Sequence, residues 1–140
     1  MKIASFNQLS VGQSIPELLT ELDTLAFVKY CGASDDYGQQ HWDHLWMVDH
    51  GFQGVVGHGW LTFAYMCQAV TNFVPLEIAD IKSYAVRYHK PLLPGALRCG
   101  GEIVELSIDG PRKQAKLSLW ARDGEGRVIA TSPTHTQCGG

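Results

Sequence analysis

The chain has 140 residues, of which 45% are hydrophobic and 18% charged, which is typical of a globular protein of one domain over residues 1–140. The formal net charge of −3 leaves no surplus of Lys and Arg for neutralising phosphates, so we expect no nucleic-acid partner. The N-terminus has no apolar signal core and no stretch has the length of a membrane span, which predicts a cytoplasmic protein with no membrane partner. Four widely spaced cysteines without a CxxC pair are typical of reduced thiols: Cys31, Cys67, Cys99 and Cys138.

The first 57 residues predict short and irregular elements. They are an extended segment after a turn at 11–16, a short helix at 23–31, a helical turn at 41–49 and a glycine-containing loop at 51–57. Asp23 or Thr24 caps the short helix, and Gly32 is expected to end it. The chain then enters a loop that begins at Ser34.

The segment Gly59–Phe73 predicts a long helix that contains no charged residue. Apolar side chains fall on every face of this helix, so we expect it to be buried on all sides. In a chain of this length, such a helix needs a sheet wrapped around it.

The second half of the chain predicts that sheet. Strands are expected at 81–88, 97–108, 114–122 and 127–136, with turns between them at Pro94-Gly95, Asp109-Gly110 and Asp123-Gly124. The segment 114–122 alternates, with Ala115, Leu117, Leu119 and Ala121 facing inward. The predicted fold class is α+β: an antiparallel β-sheet wrapped around one long central helix.

Residues 33–41, with the sequence ASDDYGQQH, carry the chemistry. Asp36 and His41 place a carboxylate and an imidazole five residues apart on a loop, where both can turn toward one point and act as a general acid–base pair. A free imidazole titrates near pH 6.5, so it takes up and releases protons readily. Gly59 adds a backbone N–H at the open end of the predicted helix, which suits a developing oxyanion.

Three blocks of sequence resemble the MaoC-like dehydratases and the (R)-specific enoyl-CoA hydratases, which have the hot-dog fold. Residues 33–41 are similar to the family's A-S-G-D-F-N-P-x-H, with Asp35 for its glycine and Gly38-Gln39 for its Asn-Pro. Residues 51–62, GFQGVVGHGWLT, look like its G-F-x-G-V-V-x-H-G-M-L-T, and residues 88–96 look like its F-x-x-P-V-x-x-G-D with Ala96 for the acidic residue. The resemblance extends from Val11 to about Ser132.

The resemblance implies a hydro-lyase that reversibly hydrates a 2-enoyl thioester to a 3-hydroxyacyl thioester. It implies catalytic roles for Asp36, His41 and Gly59. Substrate binding is expected of Gly57, His58, Trp60 and Cys67, where Cys67 stands at a position at which the family often has serine. The substrate is expected to be a CoA ester, with coenzyme A as part of the substrate and no further cofactor. A homodimer, or a heteromer with another hot-dog chain, is the expected assembly.

Several alternatives stay open at this point. The substrate could be bound to a carrier protein or be polyketide-like, or the chain could be a non-catalytic partner of another hot-dog subunit. A thioesterase would need a polar group on the central helix, which offers only Thr62, Cys67 and Gln68. His41 and His44, with His50 and His58, suggest zinc, but no further ligand pair has the spacing of a closed site, so we expect no metal.

Overall fold

Seven antiparallel strands pair into one sheet in the part of the chain that the computed structural model describes, residues 2–132 and the backbone of 136–139. The strands are β1 (Ser14–Leu22), β2 (Asp80–Ser83), β3 (Arg87–Tyr88), β4 (Gly95–Asp109), β5 (Arg112–Asp123), β6 (Val128–Thr131) and β7 (Thr136–Gly139). The helices are α1 (Thr24–Ser34), α2 (His44–Asp49) and α3 (Gly59–Phe73), with 3₁₀ turns at Phe6–Gln8 and Gln39–His41. None of these helices is long and apolar enough to cross a membrane.

The long hairpin of β4 and β5 forms the centre of the sheet. The strands follow the order β1-β4-β5-β6-β3, and β7 pairs with both β5 and β2. The register of the hairpin runs from Leu97 opposite Asp123 to Asp109 opposite Arg112, which confirms the strands predicted at 97–108 and 114–122. The alternation in β5 is also confirmed, because all four side chains predicted to face inward are buried. The long helix packs against the hydrophobic face of this hairpin.

Helix α3 has the predicted bounds and contacts β1, β4 and β5. Met66, Val70 and Phe73 are buried against the sheet. The expectation of burial on all sides is wrong, because Trp60 is 65% exposed and Ala64 and Gln68 on the same stripe are also exposed. The sheet covers only one side of the helix, and the stripe at spacing four faces away from it.

Two predicted strands are interrupted in the structure. The segment 81–88 forms β2 and β3 with a gap at 84–86, where the side chains of Tyr84 and Val86 pack on the core. The segment 127–136 forms β6, which ends at Thr131, and β7, which begins at Thr136. Residues 133–135 of that prediction lie outside the described residues.

Helix α1 is longer than predicted. Asp23 caps its start, with Oδ1 accepting a hydrogen bond from the Ala26 N–H at 2.8 Å, as the sequence suggested. Gly32 does not end it: the helix continues to Ser34 and closes at Asp35, which has the left-handed conformation with φ 57°. Asp36 is therefore the first residue after the helix cap.

Three cysteines are free thiols in the described part of the chain. Cys31 and Cys99 are buried, and Cys67 on α3 is half-buried. Burial raises the pKa of Cys99 to about 12 and that of Cys67 to about 11, so both stay protonated near neutral pH. The side chain of Cys138 lies outside the described residues.

Candidate active site

His41 lies in the 3₁₀ turn Gln39–His41 and is only 7% exposed. Its Nδ1 is 2.6 Å from the backbone oxygen of Val56. A carbonyl oxygen only accepts hydrogen bonds, so Nδ1 carries the proton and Nε2 of the neutral ring carries the lone pair. A backbone hydrogen bond from the Val56 N–H to the Gln40 oxygen, at 3.0 Å, holds the same two segments together. The surroundings thus fix both the ring and its tautomer.

Asp36 presents its carboxylate to this ring from the loop after α1. Its side chain is 57% exposed, and Oδ1 accepts a hydrogen bond from the Gly38 N–H at 3.1 Å. The other oxygen, Oδ2, lies 3.9 Å from His41 Nε2. This separation is too long for a direct hydrogen bond and leaves both atoms able to bond to one water molecule. Asp36 and His41, which the sequence predicted as a pair, are brought together.

His58 lies beside both residues and is 3% exposed. Its ring stacks on the His41 ring with centroids 3.5 Å apart and planes inclined by 19°. Its Nε2 is 3.0 Å from the Asp36 backbone oxygen and 3.8 Å from Asp36 Oδ2. Helix α1 contributes the edge of the Tyr30 ring, with centroids 4.8 Å apart, and the Cys31 sulfur at 3.9 Å. This placement favours support of the Asp36–His41 pair over contact with a substrate.

The negative charge of Asp36 affects the pKa of the nearby Cys31 thiol. Burial first, and then Asp36, raise the pKa of Cys31, so the sulfur stays a neutral thiol beside the imidazole of His58. Cys31 is therefore a poor nucleophile in this position.

The described residues contain one group of possible metal ligands, formed by Asp36, His41 and His58. One donor atom of each lies within 4.8 Å of the others. Their geometry does not fit an ion. A metal lies in the plane of each imidazole at about 2.0–2.1 Å from nitrogen, whereas two planes stacked 3.5 Å apart at 19° meet far outside that distance. His50, which the zinc hypothesis included, instead stacks on Trp46 and donates from Nδ1 to the Trp46 oxygen at 2.7 Å.

Gly59 begins α3 directly after His58. The first backbone hydrogen bonds of this helix run from the Leu61 and Thr62 N–H groups to the His58 oxygen, at 3.1 and 3.3 Å. The Gly59 N–H precedes them and has no acceptor within the helix. Beside it lies a cleft of about 290 Å³ lined by Gly57, Gly59, Thr62, Tyr88, His89, Lys90, Pro91 and Leu92. Gly59, at the positive end of a helix, thus lines an open cleft and directly follows His58, whose ring stacks on His41.

The other predicted binding residues are spread more widely. Gly57 donates its N–H to the Leu92 oxygen at 2.7 Å, and a Cβ there would lie 2.7 Å from both Phe27 and Leu92, so a side chain is excluded at this position. Gly57 also lines the cleft, and its contact with substrate stays a prediction. Trp60 is exposed and contacts the Phe63 ring edge-on at 5.3 Å. Cys67 is eight residues along α3 from Gly59, about 12 Å along the axis. Substrate contact by Trp60 and Cys67 stays a prediction.

Three residues near the site were not singled out from the sequence. The Gln40 amide nitrogen is 3.2 Å from His41 Nε2 and donates to its lone pair, so a water that bonds to this nitrogen must displace the Gln40 side chain. The Tyr88 ring covers Gly59, where an added Cβ would lie 3.0 Å from Cζ, and Lys90 brings a cation to the cleft. Burial and then Tyr30 raise the pKa of Tyr88, which keeps its hydroxyl neutral. Tyr88 and Lys90 lie in the third block of family resemblance, which was the available signal for them.

The family model for the MaoC like domain matches residues 11–114, which is more than half of the chain. The chain therefore belongs to the MaoC-like dehydratase family, and the resemblance seen in the sequence is confirmed. None of the curated proteins matches it.

Solved structures of similar fold include two (R)-hydratases. PhaJ1 from Pseudomonas aeruginosa, in the unliganded form, is 18% identical with a TM-score of 0.81 over 96% of this chain and 83% of that one. The (R)-hydratase from A. caviae involved in PHA biosynthesis is 17% identical with a TM-score of 0.80 over 94% and 96%. The ChsH1-ChsH2 complex from Mycobacterium tuberculosis is 21% identical with a TM-score of 0.75 over 92% and 96%. These similarities confirm the hot-dog fold.

Proposed function

We propose that the chain, as one domain, catalyses the reversible hydration of a 2-enoyl thioester to a 3-hydroxyacyl thioester. The observation that carries this proposal is the 3.9 Å approach of Asp36 Oδ2 to His41 Nε2 beside the N-terminus of α3. Membership of the MaoC-like dehydratase family supports it. The pair can hold one water, and the helix start can hold one carbonyl oxygen.

In the hydration direction, the pair of Asp36 and His41 takes a proton from the bound water as the water oxygen bonds to the β-carbon. The electron pair of the C=C bond moves to the α-carbon and is delocalised onto the thioester oxygen. The pair then returns a proton to the α-carbon, so that one water has been added across the double bond. Dehydration follows the same steps in reverse.

The Gly59 N–H donates a hydrogen bond to the thioester oxygen in this proposal. That oxygen gains negative charge in the enolate-like intermediate, and the positive end of α3 stabilises it. Removing such a donor typically costs about 2.7–4 kcal/mol of transition-state stabilisation. The cleft between Gly59 and Lys90 leaves room for the thioester, and the Lys90 cation suits an anionic carrier group.

The preferred substrate is a CoA ester, with coenzyme A as part of the substrate and no other cofactor. A thioester on a carrier protein, or a polyketide-like intermediate, would meet the same residues and is the alternative. A non-catalytic partner subunit is disfavoured, because the chain keeps both members of the pair and holds His41 in the tautomer that a base requires.

We also propose that the chain assembles with a second hot-dog subunit, preferably a copy of itself. Trp60 and Ala64 on α3 are exposed apolar residues, and Phe63 next to them is partly exposed. An exposed apolar stripe of this kind is typical of a protein–protein interface. The ChsH1-ChsH2 complex is a heteromer of similar fold, which keeps a second, different chain as the alternative.

The test is the loss of enoyl-thioester absorbance when purified protein is mixed with a panel of 2-enoyl-CoA esters. Asp36→Asn and His41→Ala are each expected to lower kcat by about a hundredfold or more. Asp35→Asn is the matched control for the first, because this exposed neighbour makes no contact with either imidazole. His50→Ala is the control for the second.

Turnover that falls in both site variants and persists in both controls supports the acid–base pair. Turnover that is indifferent to Asp36→Asn and His41→Ala would overturn the assignment of these residues. If no CoA ester reacts, the same acyl groups on an acyl carrier protein are tested next. Failure of both carriers removes the hydratase proposal.

A further inference from the structure

His58 is a buried titratable residue that the proposed mechanism does not use. Its Nε2 lies 3.0 Å from the Asp36 backbone oxygen. Since that oxygen only accepts, Nε2 of the neutral ring carries the proton and Nδ1 carries the lone pair. Nδ1 is buried and has no hydrogen-bond partner among the described residues. An unpaired buried nitrogen destabilises the fold, so packing alone does not explain a histidine here.

The side chain of His58 has two distinct contacts with the catalytic pair. The Nε2–H group holds the backbone of Asp36, the residue that carries the carboxylate. The flat face of the ring covers the face of His41 at 3.5 Å. As a result, Asp36 Oδ2 lies at nearly the same distance from both imidazoles, 3.8 Å from His58 Nε2 and 3.9 Å from His41 Nε2.

The ring of His58 is itself held in place from α1. Tyr30 contacts it edge-on at 4.8 Å, and the neutral thiol of Cys31 lies 3.9 Å from Nε2. The charged group that faces His58 is the Asp36 carboxylate. The other titratable groups in contact with the His58 ring are His41, Cys31 and Tyr30. Helix α1 therefore supports the pair in two ways. It holds the ring of His58, and it ends at the cap directly before Asp36.

We propose that His58 is a positioning residue for the Asp36–His41 pair. Its Nε2–H fixes the loop that carries the Asp36 carboxylate, and its ring fixes the plane of His41, so that one water can bond to Oδ2 and Nε2 together. This inference rests on the proposed function. His58 acts through its two neighbours, because its burial keeps it from the substrate. Both a donor and a flat ring are needed, and histidine supplies the two in one side chain.

The first test does not depend on turnover. Long-range proton–nitrogen NMR spectra of the wild-type protein report which nitrogen of each imidazole carries the proton. We expect His58 with its proton on Nε2 and His41 with its proton on Nδ1, each as one fixed tautomer. In His58→Ala, which removes the stacked ring, we expect the His41 ring signals to broaden, because only the Nδ1–H bond to Val56 then holds that ring. A wild-type His58 protonated on Nδ1 or averaged, or His41 signals unchanged by His58→Ala, would overturn the proposal.

The second test separates the two contacts kinetically. His58→Phe keeps a ring and removes the donor, whereas His58→Gln places an amide N–H near the position of Nε2. We expect His58→Phe to lower kcat by about 10- to 100-fold with KM within about twofold, since misplacement of a catalytic group by about 1 Å has this effect. The logarithm of kcat for His58→Gln should lie at least about a third of the way from the His58→Phe value to the wild-type value.

His50→Phe is the matched control, because His50 also bonds a backbone oxygen through one nitrogen and stacks on a ring, but away from the site. It should leave kcat unchanged. A His58→Phe enzyme that folds and keeps its kcat would overturn the positioning role, as would a His58→Gln enzyme slower than His58→Phe. If the wild type hydrates no thioester, the proposed function fails, and the NMR test still decides the role of His58.

Discussion

Replacing Gly59 with alanine adds a methyl group between the Gly59 backbone and the Tyr88 ring, at the edge of the cleft where we place the thioester. The new Cβ would lie 3.0 Å from Tyr88 Cζ and 3.2 and 3.3 Å from Cε2 and Cε1. Carbon atoms in ordinary contact are about 3.5–4.0 Å apart, so the ring must retreat by a few tenths of an ångström. Tyr88 is 45% exposed and lies on the two-residue strand β3, where such a shift is cheap. We expect the free energy of unfolding to fall by about 1 kcal/mol or less.

The expected effect of Gly59→Ala on catalysis is much larger than its effect on folding. The variant keeps its backbone N–H, but the methyl group and the displaced Tyr88 ring narrow the cleft beside it, so we expect the thioester oxygen to be held away from this donor. Full loss of such a donor corresponds to about 2.7–4 kcal/mol, or roughly 10²–10³ in kcat. We expect kcat for the preferred enoyl thioester to fall by about a hundredfold, measured by the absorbance assay, while the thermal unfolding curve moves little.

Two further variants identify the cause of that loss. Gly32→Ala is a matched control, because it adds a methyl group to a helical glycine in α1 with only an ordinary contact, 3.7 Å from the Tyr37 hydroxyl. Tyr88→Ala combined with Gly59→Ala removes the ring from the new methyl group. If the double variant stays as slow as Gly59→Ala, the methyl group itself keeps the thioester from the start of α3; if it recovers, the displaced ring was responsible. A Gly59→Ala enzyme within about threefold of the wild-type kcat would refute the placement of the thioester against Gly59.

Three other substitutions or reactions test particular details of the structure. Asp35→Gly should raise the free energy of unfolding, measured in urea, by about 1 kcal/mol. The reason is that Asp35 has φ 57°, a conformation that glycine adopts without strain. An unchanged or lower free energy of unfolding would contradict the left-handed cap. Tyr84→Phe should also stabilise the protein by about 1 kcal/mol, since the Tyr84 hydroxyl is buried without a hydrogen-bond partner among the described residues; destabilisation would mean that the hydroxyl is paired. The pKa of Cys67 is raised to about 11, so little of its thiolate is present at pH 8. Iodoacetamide should therefore modify Cys67 about a hundredfold more slowly than a free cysteine, with the rate rising up to about pH 11. Modification as fast as that of free cysteine would contradict the raised pKa.

Local sequence patterns predicted the long elements well, and they predicted that Asp36 and His41 lie together, while the catalytic role of the two stays a prediction. Helix α3 has its predicted bounds because its start is marked by a glycine and its apolar residues continue without a charge for four turns. The strands β4 and β5 follow from alternation and from the turn at Asp109-Gly110. Asp36 and His41 meet because the spacing of five residues contains a glycine and a 3₁₀ turn, which together fold the loop back on itself.

The features that were missed depend on contacts between distant segments. The exposed stripe of α3 follows from how far the sheet curls, which the apolar pattern of the helix does not specify. Helix α1 passes Gly32 because a single glycine costs only about 1 kcal/mol in a helix, and packing of Phe27 and Cys31 outweighs it. His58 is 22 residues from Asp36 along the chain, so its hydrogen bond to the Asp36 oxygen has no local signal.

The loop between Asp36 and His41 departs from the family motif, and the structure explains how it keeps its shape. The motif has proline where this chain has Gln39. Gln39 donates its side-chain N–H to Asp43 Oδ2 at 2.9 Å, and the other oxygen of Asp43 accepts from the Trp46 N–H at 2.9 Å and so caps α2. These two bonds also hold the pKa of Asp43 below its ordinary value. A side-chain hydrogen bond thus replaces the rigidity of a proline ring.

This reasoning predicts that Gln39→Pro is tolerated. Gly38 has φ −50° and ψ 128°, the extended conformation that a following proline requires, and Gln39 is the first residue of its 3₁₀ turn, where proline is favoured. We expect kcat within about threefold of the wild type and a somewhat less stable α2, because the bond to Asp43 is lost. Gln39→Ala is the control that loses the bond without gaining the ring, and it should be the less active of the two. If Gln39→Pro were slower than Gln39→Ala, the loop would not have the conformation of the family motif, and the geometry of Asp36 and His41 would have to come from their neighbours alone.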